Sequence, residues 1–186
     1  DPEIVQSLLP SGLTVDTFDG DAWVGIVPFF MRNIRPWWSP AVPGVSNFQE
    51  VNLRTYAVDA QGVPGVWFLS LDADTRLGVW WGRTLYLLPY YYARMSHTWD
   101  RRTGQVNFAS HRPGSDERLA SHFAYRPNGE PRTAEPGSLE FFLVERYLLF
   151  ADDGRGGISR GLAHPAPFHH RPCPRTPPWS SLGFAP

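Results

Sequence analysis

The sequence predicts an α+β domain built mainly on antiparallel β-structure, with two or three short helices. Three observations carry that expectation. Short apolar or alternating runs recur along the chain, separated by turn signals at intervals too brief for long helices. The 186 residues include 19 prolines and 17 glycines, a content that argues against a helical bundle. Aromatic residues make up 15% of the chain, with 8 tryptophans, enough large apolar surface for one sizeable core and too much for a disordered chain.

The elements follow in order. Residues 1–12 read as a short helix: Asp1 can cap it, Pro2 suits the first helical position, and Pro10 with Gly12 stops it. LTVDTF (13–18) is a strand, DGD (19–21) a hairpin turn, and 22–34 a second strand in which Pro28 marks an edge or bulge. RPWWSPAVPG (35–44) is a proline-punctuated loop carrying Trp37 and Trp38. FQEVNLRTYAVD (48–59) alternates with period 2, AQGVPG turns the chain, and VWFLSLD (66–72) returns as a largely buried strand. Residues 72–86 form the strongest helix candidate, with Asp72 or Asp74 as cap and Leu77, Trp80, Trp81 and Leu85 as its apolar stripe. Gly78 and Gly82 weaken it by about 1 kcal/mol each unless they serve close packing. After Pro89, the runs 90–99, 104–112 and 118–126 predict a three-stranded meander. Residues 136–147 predict a helix capped by Ser138, burying Phe141, Phe142 and Val144, and a hairpin turns at DDGRGG (152–157). The domain is expected to span 1–163, followed by a proline-rich, poorly ordered tail over 164–186.

Charge narrows the function classes. The net charge is −1, which predicts neither a nucleic-acid partner nor a membrane surface. All 17 basic residues are arginine and none is lysine, so no side-chain amine can form a Schiff base. Cys173 is the one cysteine, and with no run of about 18 apolar residues and no signal-peptide pattern the expectation is a cytoplasmic protein.

Two stretches have the residue types of a binding site. In the strand 48–59, alternation places Glu50, Asn52, Arg54 and Tyr56 on one face. A carboxylate, an amide and a guanidinium in a row can line a polar pocket, although the same pattern serves a solvated face. In YYYARMSH, Tyr90, Tyr92, Arg94 and Ser96 alternate with Tyr91, Ala93, Met95 and His97, and the second, more apolar set is expected to face the core. A buried tyrosine hydroxyl needs a partner and can orient a carboxylate or carbonyl. His97, His111 and His122 lie on successive strands with no register to unite them. His164, His169, His170 and Cys173 have no defensible zinc spacing, so no metal and no cofactor is expected. No phosphate loop or nucleophile elbow is present.

Taken in order, LTVDTFDGDAWVGIVPFFMRNIRP, EVNLRTYAVD, PGVWFLSLDA, LPYYYARM and EPGSLEFFLVERY resemble the YqjF-like family, a domain of unknown function in the acetoacetate decarboxylase-like superfamily. The resemblance covers about residues 1–165 and implies a cone-shaped antiparallel barrel around a small-molecule pocket. It also implies a barrel incomplete at both ends, because family members run further, and open edges through which copies can pair. Acetoacetate decarboxylases carry a Gly-Arg helix end, a proline and two adjacent lysines, the first of which forms the imine. GRTLYLLPYY looks like that segment, with Tyr90 and Tyr91 at the lysine pair. A phenol cannot form an imine, so Schiff-base decarboxylation is not expected.

The leading expectation is therefore a binder of a small carboxylate or carbonyl compound, lined by Glu50, Asn52, Arg54, Tyr90 and Tyr91. One alternative is a lyase or hydratase with Glu50 as acid–base. Another is an interaction protein that docks through the aromatic loop 36–38.

Overall fold

In the computed structural model, described here for residues 1–31, 46–129 and 132–162, one long strand organises the chain. The elements are α1 (Pro2–Gln6), β1 (Leu13–Val15), β2 (Thr17–Phe18), β3 (Asp21–Ala22), β4 (Val24–Met31), β5 (Phe48–Asp59), β6 (Pro64–Ala73), α2 (Arg76–Leu85), β7 (Tyr90–Tyr92), β8 (Arg94–Trp99), β9 (Val106–His111), β10 (Ser121–Tyr125), α3 (Leu139–Val144), β11 (Leu148–Asp152) and β12 (Ile158–Leu162). The loop 36–38 and the tail 164–186, with Cys173 and its histidines, lie outside the described residues.

The 12-residue β5 is paired along both edges. β6 runs antiparallel on one side, and β4 and β1 lie end to end along the other. The far edge of β6 takes two parallel partners, β11 at Val66 and Trp67 and β7 at Leu71–Ala73, and β12 closes a hairpin with β11. This gives a seven-stranded, mainly antiparallel sheet that does not close into a barrel among the described residues. The meander forms as expected, in the order β10-β9-β8, but as a separate sheet. The expected strand 90–99 breaks at the fully buried Ala93, whose N–H donates to Ala73 O at 3.0 Å before the chain leaves one sheet for the other.

One irregularity sets the faces. The register between β5 and β6 shifts at Leu53/Arg54, so Leu69 is an extra residue on β6. This bulge lets Phe68, opposite Arg54, and Leu71, opposite Asn52, lie on the same face despite being three residues apart. That face carries α3, whose Phe142 packs on Tyr56 at 5.1 Å and on Phe18 at 5.6 Å. Phe30, on the opposite face, meets Phe108 of the meander edge to face at 5.9 Å. A second cluster, Leu13, Ala57 and Phe150, packs with Leu9, Trp67, Leu148 and Ile158.

Local chemistry explains the turns and caps. Asp19 and Gly20 both have positive φ, 53° and 83°, as a two-residue hairpin loop requires. Asp1 accepts from the Glu3 amide and Ser138 from that of Phe141. Helix α2 departs from expectation twice. Its cap is Thr75, because Asp72 is held by Arg112 Nε at 2.9 Å and Asp74 by the Gln49 amide at 2.8 Å. Its apolar stripe faces outward: Leu77, Trp80 and Leu85 are exposed, and the buried position is Gly82. No described helix is long and apolar enough to cross a membrane.

Candidate functional site

Glu50 and Tyr90 are brought together 40 residues apart in sequence. Cross-strand register puts Glu50 opposite Ala73 and Asn52 opposite Leu71, and Leu71 in turn opposite Tyr90. Glu50, Asn52, Leu71, Ala73, Tyr90 and Tyr92 therefore share one face of the sheet. The Tyr90 hydroxyl donates to Glu50 Oε2 at 2.9 Å. Glu50 is 3% exposed and Asn52 4%, so this polar pair occupies core positions.

Helix α2 seals the face above Tyr90. A Cβ on Gly82 would stand 2.3 Å from Tyr90 Cδ2 and 2.6 Å from Cε2. Only a residue without a side chain lets the helix lie on that ring, which is the structural use of a glycine that helix propensity disfavours.

Burial dominates the electrostatics. It pushes the Glu50 carboxyl from 4.5 up to about 8, with the Tyr90 hydrogen bond pulling the other way. Burial and the neighbouring carboxylate together push the Tyr90 phenol well above its usual 10. Burial thus favours a protonated acid hydrogen-bonded to a neutral phenol.

The other expected residues are placed differently. Arg54 lies on the same side but turns away from Glu50, donating through Nη2 to Leu143 O at 3.3 Å and lying 5.7 Å from the Tyr56 ring centre. Tyr56 donates to that same carbonyl at 3.2 Å. Arg54 Nε is buried with no hydrogen-bond partner among the described residues, as is Asn52 Oδ1. Tyr91 is not brought to Glu50. It points to the opposite face, is 41% exposed, and is stacked by Arg112 at 4.1 Å. The expectation that the Tyr91 set faces the core is thus reversed for the tyrosines. The switch of sheets at Ala93 separates the alternation of β7 from that of β8, so apolar residues further on do not report which way the tyrosines point.

Two open cavities lie on other parts of the described surface. One of about 560 Å³ is lined by Tyr91, Arg83, Leu69, Leu87, Pro89 and Phe150, among others. The other, of about 350 Å³, lies over the meander. Neither is lined by Glu50, Asn52, Arg54 or Tyr90.

The three histidines of the meander do not converge. His97 stands opposite Phe108 and His122 opposite Ala109, which puts them on different faces. No group of three His, Cys, Asp or Glu side chains suited to a metal ion occurs among the described residues. A polar chain that sequence reasoning missed runs from Asp74 through Gln49 Nε2 at 2.9 Å to His97 Nδ1, 2.9 Å from Gln49 Oε1. Its members are 25 and 48 residues apart, so no spacing signal exists to reveal it.

Comparison with known proteins adds a family, a relative and three solved structures. A family model described as "Uncharacterized conserved protein (COG2071)", DUF2071, matches residues 1–175. The chain is 41% identical over 172 residues to uncharacterized protein YqjF of Bacillus subtilis (strain 168), covering 92% of this chain and 67% of the relative. Among solved structures it resembles acetoacetate decarboxylase from Legionella pneumophila, with TM-score 0.56 and 13% identity over 87% of this chain and 60% of the other. The enduracididine biosynthesis enzyme MppR complexed with pyruvate matches with TM-score 0.56 and 13% identity, over 89% of this chain and 60% of that one. An acetoacetate decarboxylase-like enzyme from Sphingomonas wittichii RW1 matches with TM-score 0.55 and 18% identity, over 87% and 65%. The chain thus has an acetoacetate decarboxylase-like fold and spans about 60% of the length of the first solved structures it matches.

Proposed function

The chain belongs to the DUF2071 family, and from that premise we propose that it binds a small carboxylate or carbonyl compound on the Glu50–Asn52–Tyr90 face, without Schiff-base chemistry. The observation that carries the reading is the buried Glu50–Tyr90 hydrogen bond at a position where a core would otherwise be apolar. Burying a carboxyl and an amide destabilises a fold unless their hydrogen bonds are met, so polar groups at such places commonly serve function. Tyr90 lies at the segment that resembles the lysine pair of the decarboxylases, and with no lysine in the chain its role is to hold Glu50 and to face the ligand.

Arg54 supplies the anion contact through Nε, the donor that no described residue uses. Its Nη2 already serves Leu143 O, so a single hydrogen bond is the geometry on offer rather than a fork. The related fold of MppR, solved in complex with pyruvate, supports a ligand of this size and charge. Tyr91 belongs to the site only if the chain rearranges, and in this conformation it lines the cavity on the other face.

A second reading is favoured by one observation. A carboxyl pushed to about 8 is protonated at neutral pH and suited to give a proton to a substrate oxygen, as an acid–base lyase or hydratase needs. The third reading rests on Trp37 and Trp38, which are outside the described residues. The proposed homo-oligomer through sheet edges has as its candidates β1, β4, β7 and β12, each paired with one strand only among the described residues.

A thermal-shift screen of small acids, pyruvate, acetoacetate and acetate among them, tests the site. Wild type is expected to be stabilised by at least one, and Arg54→Gln to lose most of the response. No stabilisation of wild type, or an unchanged response in Arg54→Gln, overturns the assignment.

A further inference from the structure

We infer that the ligand of this face carries a hydroxyl group and is a short hydroxy acid, with its hydroxyl bridging Glu50 and Asn52 and its carboxylate turned to Arg54. This rests on the reading above that the face is a small-molecule site. It goes further by naming the group that the site reads.

The argument is one of unmet hydrogen-bonding capacity. Asn52 is 4% exposed, its side chain makes no hydrogen bond to any described residue, and its Oδ1 is sealed from solvent. A buried amide oxygen left without a donor costs about 1–3 kcal/mol. Two residues away on the same face, Glu50 has Tyr90 as its one side-chain partner among the described residues, and that contact uses Oε2 as acceptor. Burial favours the neutral form of the carboxyl, which carries a proton to donate. The face therefore holds an acceptor that lacks a donor and, beside it, a carboxyl able to donate.

Few groups meet both needs at once. A carboxylate or ketone oxygen accepts only and leaves Asn52 Oδ1 unserved. An ammonium donates only, and beside a neutral acid it loses its solvation for little return. A hydroxyl accepts from Glu50 and donates to Asn52 Oδ1, the atom the structure leaves without a donor. The third unused group is Arg54 Nε, buried and two residues beyond Asn52 on the same strand face. Same-face neighbours on a strand lie about 7 Å apart. A 2- or 3-hydroxy acid places its hydroxyl and carboxylate within that span when each is reached by one side chain.

Matched pairs of acids test this: lactate against propionate, and 3-hydroxybutyrate against butyrate, measured by calorimetry on wild type, Asn52→Leu and Asn52→Ala. The hydroxylated member of at least one pair is expected to bind wild type at least about tenfold more tightly, since a site built for a hydroxyl rejects the analogue lacking it. Both Asn52 variants are expected to level the pair, and Asn52→Ala keeps the test open if the leucine variant does not fold. Equal affinity within each pair, or a preference that survives in the variants, overturns the hydroxyl inference and leaves the acid site standing. If no acid of either kind binds wild type, the small-molecule reading fails, and this inference with it.

Discussion

Replacing Glu50 by glutamine tests the electrostatics of the site through stability alone, with no ligand required. Folding raises the Glu50 carboxyl from 4.5 to about 8 because burial disfavours its charged form. An acid whose pKa rises on folding keeps a proton that the unfolded chain gives up. Its contribution is therefore complete below 4.5, declines as pH rises, and is fully lost above about 8. The decline runs at about 1.36 kcal/mol per pH unit, and over the window from 4.5 to about 8 it accumulates to on the order of 5 kcal/mol. Domains of this size are stable by roughly 5–15 kcal/mol, so the effect is within easy reach of measurement. Glutamine keeps the shape and cannot ionise. Urea denaturation at unit intervals from pH 5 to 9 is expected to show wild type losing stability relative to Glu50→Gln, with the variant the more stable above pH 8. Taking the difference between the two proteins removes every other titration from the comparison. Asp100 and Asp153, held below their usual value by the amides of Arg102 and Arg155, act on the acid side, where their contribution is lost as pH falls. A difference that stays constant from pH 5 to 9 refutes the reasoning, since Glu50 would then be solvated as a surface carboxyl is.

Two further substitutions probe the same face. Tyr90→Phe removes the one side-chain donor to Glu50 among the described residues, so the carboxyl is expected to titrate above about 8 and the fold to lose about 1–3 kcal/mol; carboxyl infrared bands followed against pH, with denaturation curves, check both. Gly82→Ala gains about 1 kcal/mol of helix propensity but drives a methyl into the Tyr90 ring, and a net loss of about 1–3 kcal/mol is expected, read as a lower melting temperature; a rise would show that α2 does not rest on Tyr90.

Much of the fold is legible locally. β5 spans 48–59 as its alternation predicts, and the hairpin at Asp19-Gly20, the Ser138 cap and the meander follow from turn and capping chemistry within a few residues. The same holds for Glu50, Asn52 and Arg54 on one face, which strand alternation dictates. What does not follow is where each side chain ends. Arg54 shares the face yet reaches Leu143 O, 89 residues away, because α3 packs there. Helix α2 displays an apolar stripe, yet it meets the sheet through Gly82, because close approach to an aromatic ring favours the smallest residue over the largest.

The tyrosine run shows the division most clearly. By itself the sequence determined that Tyr90, Tyr91 and Tyr92 follow a proline into a strand, that neighbours point opposite ways, and that no lysine stands among them to form an imine. Only the tertiary structure decided which tyrosine turns inward. The bulge at Leu69, the parallel pairing of β7 with β6 and the change of sheet at Ala93 set the absolute direction of that alternation. Alternation is a local property of an extended backbone, whereas facing depends on register with strands far away in sequence. The Glu50–Tyr90 pair exists because of that register.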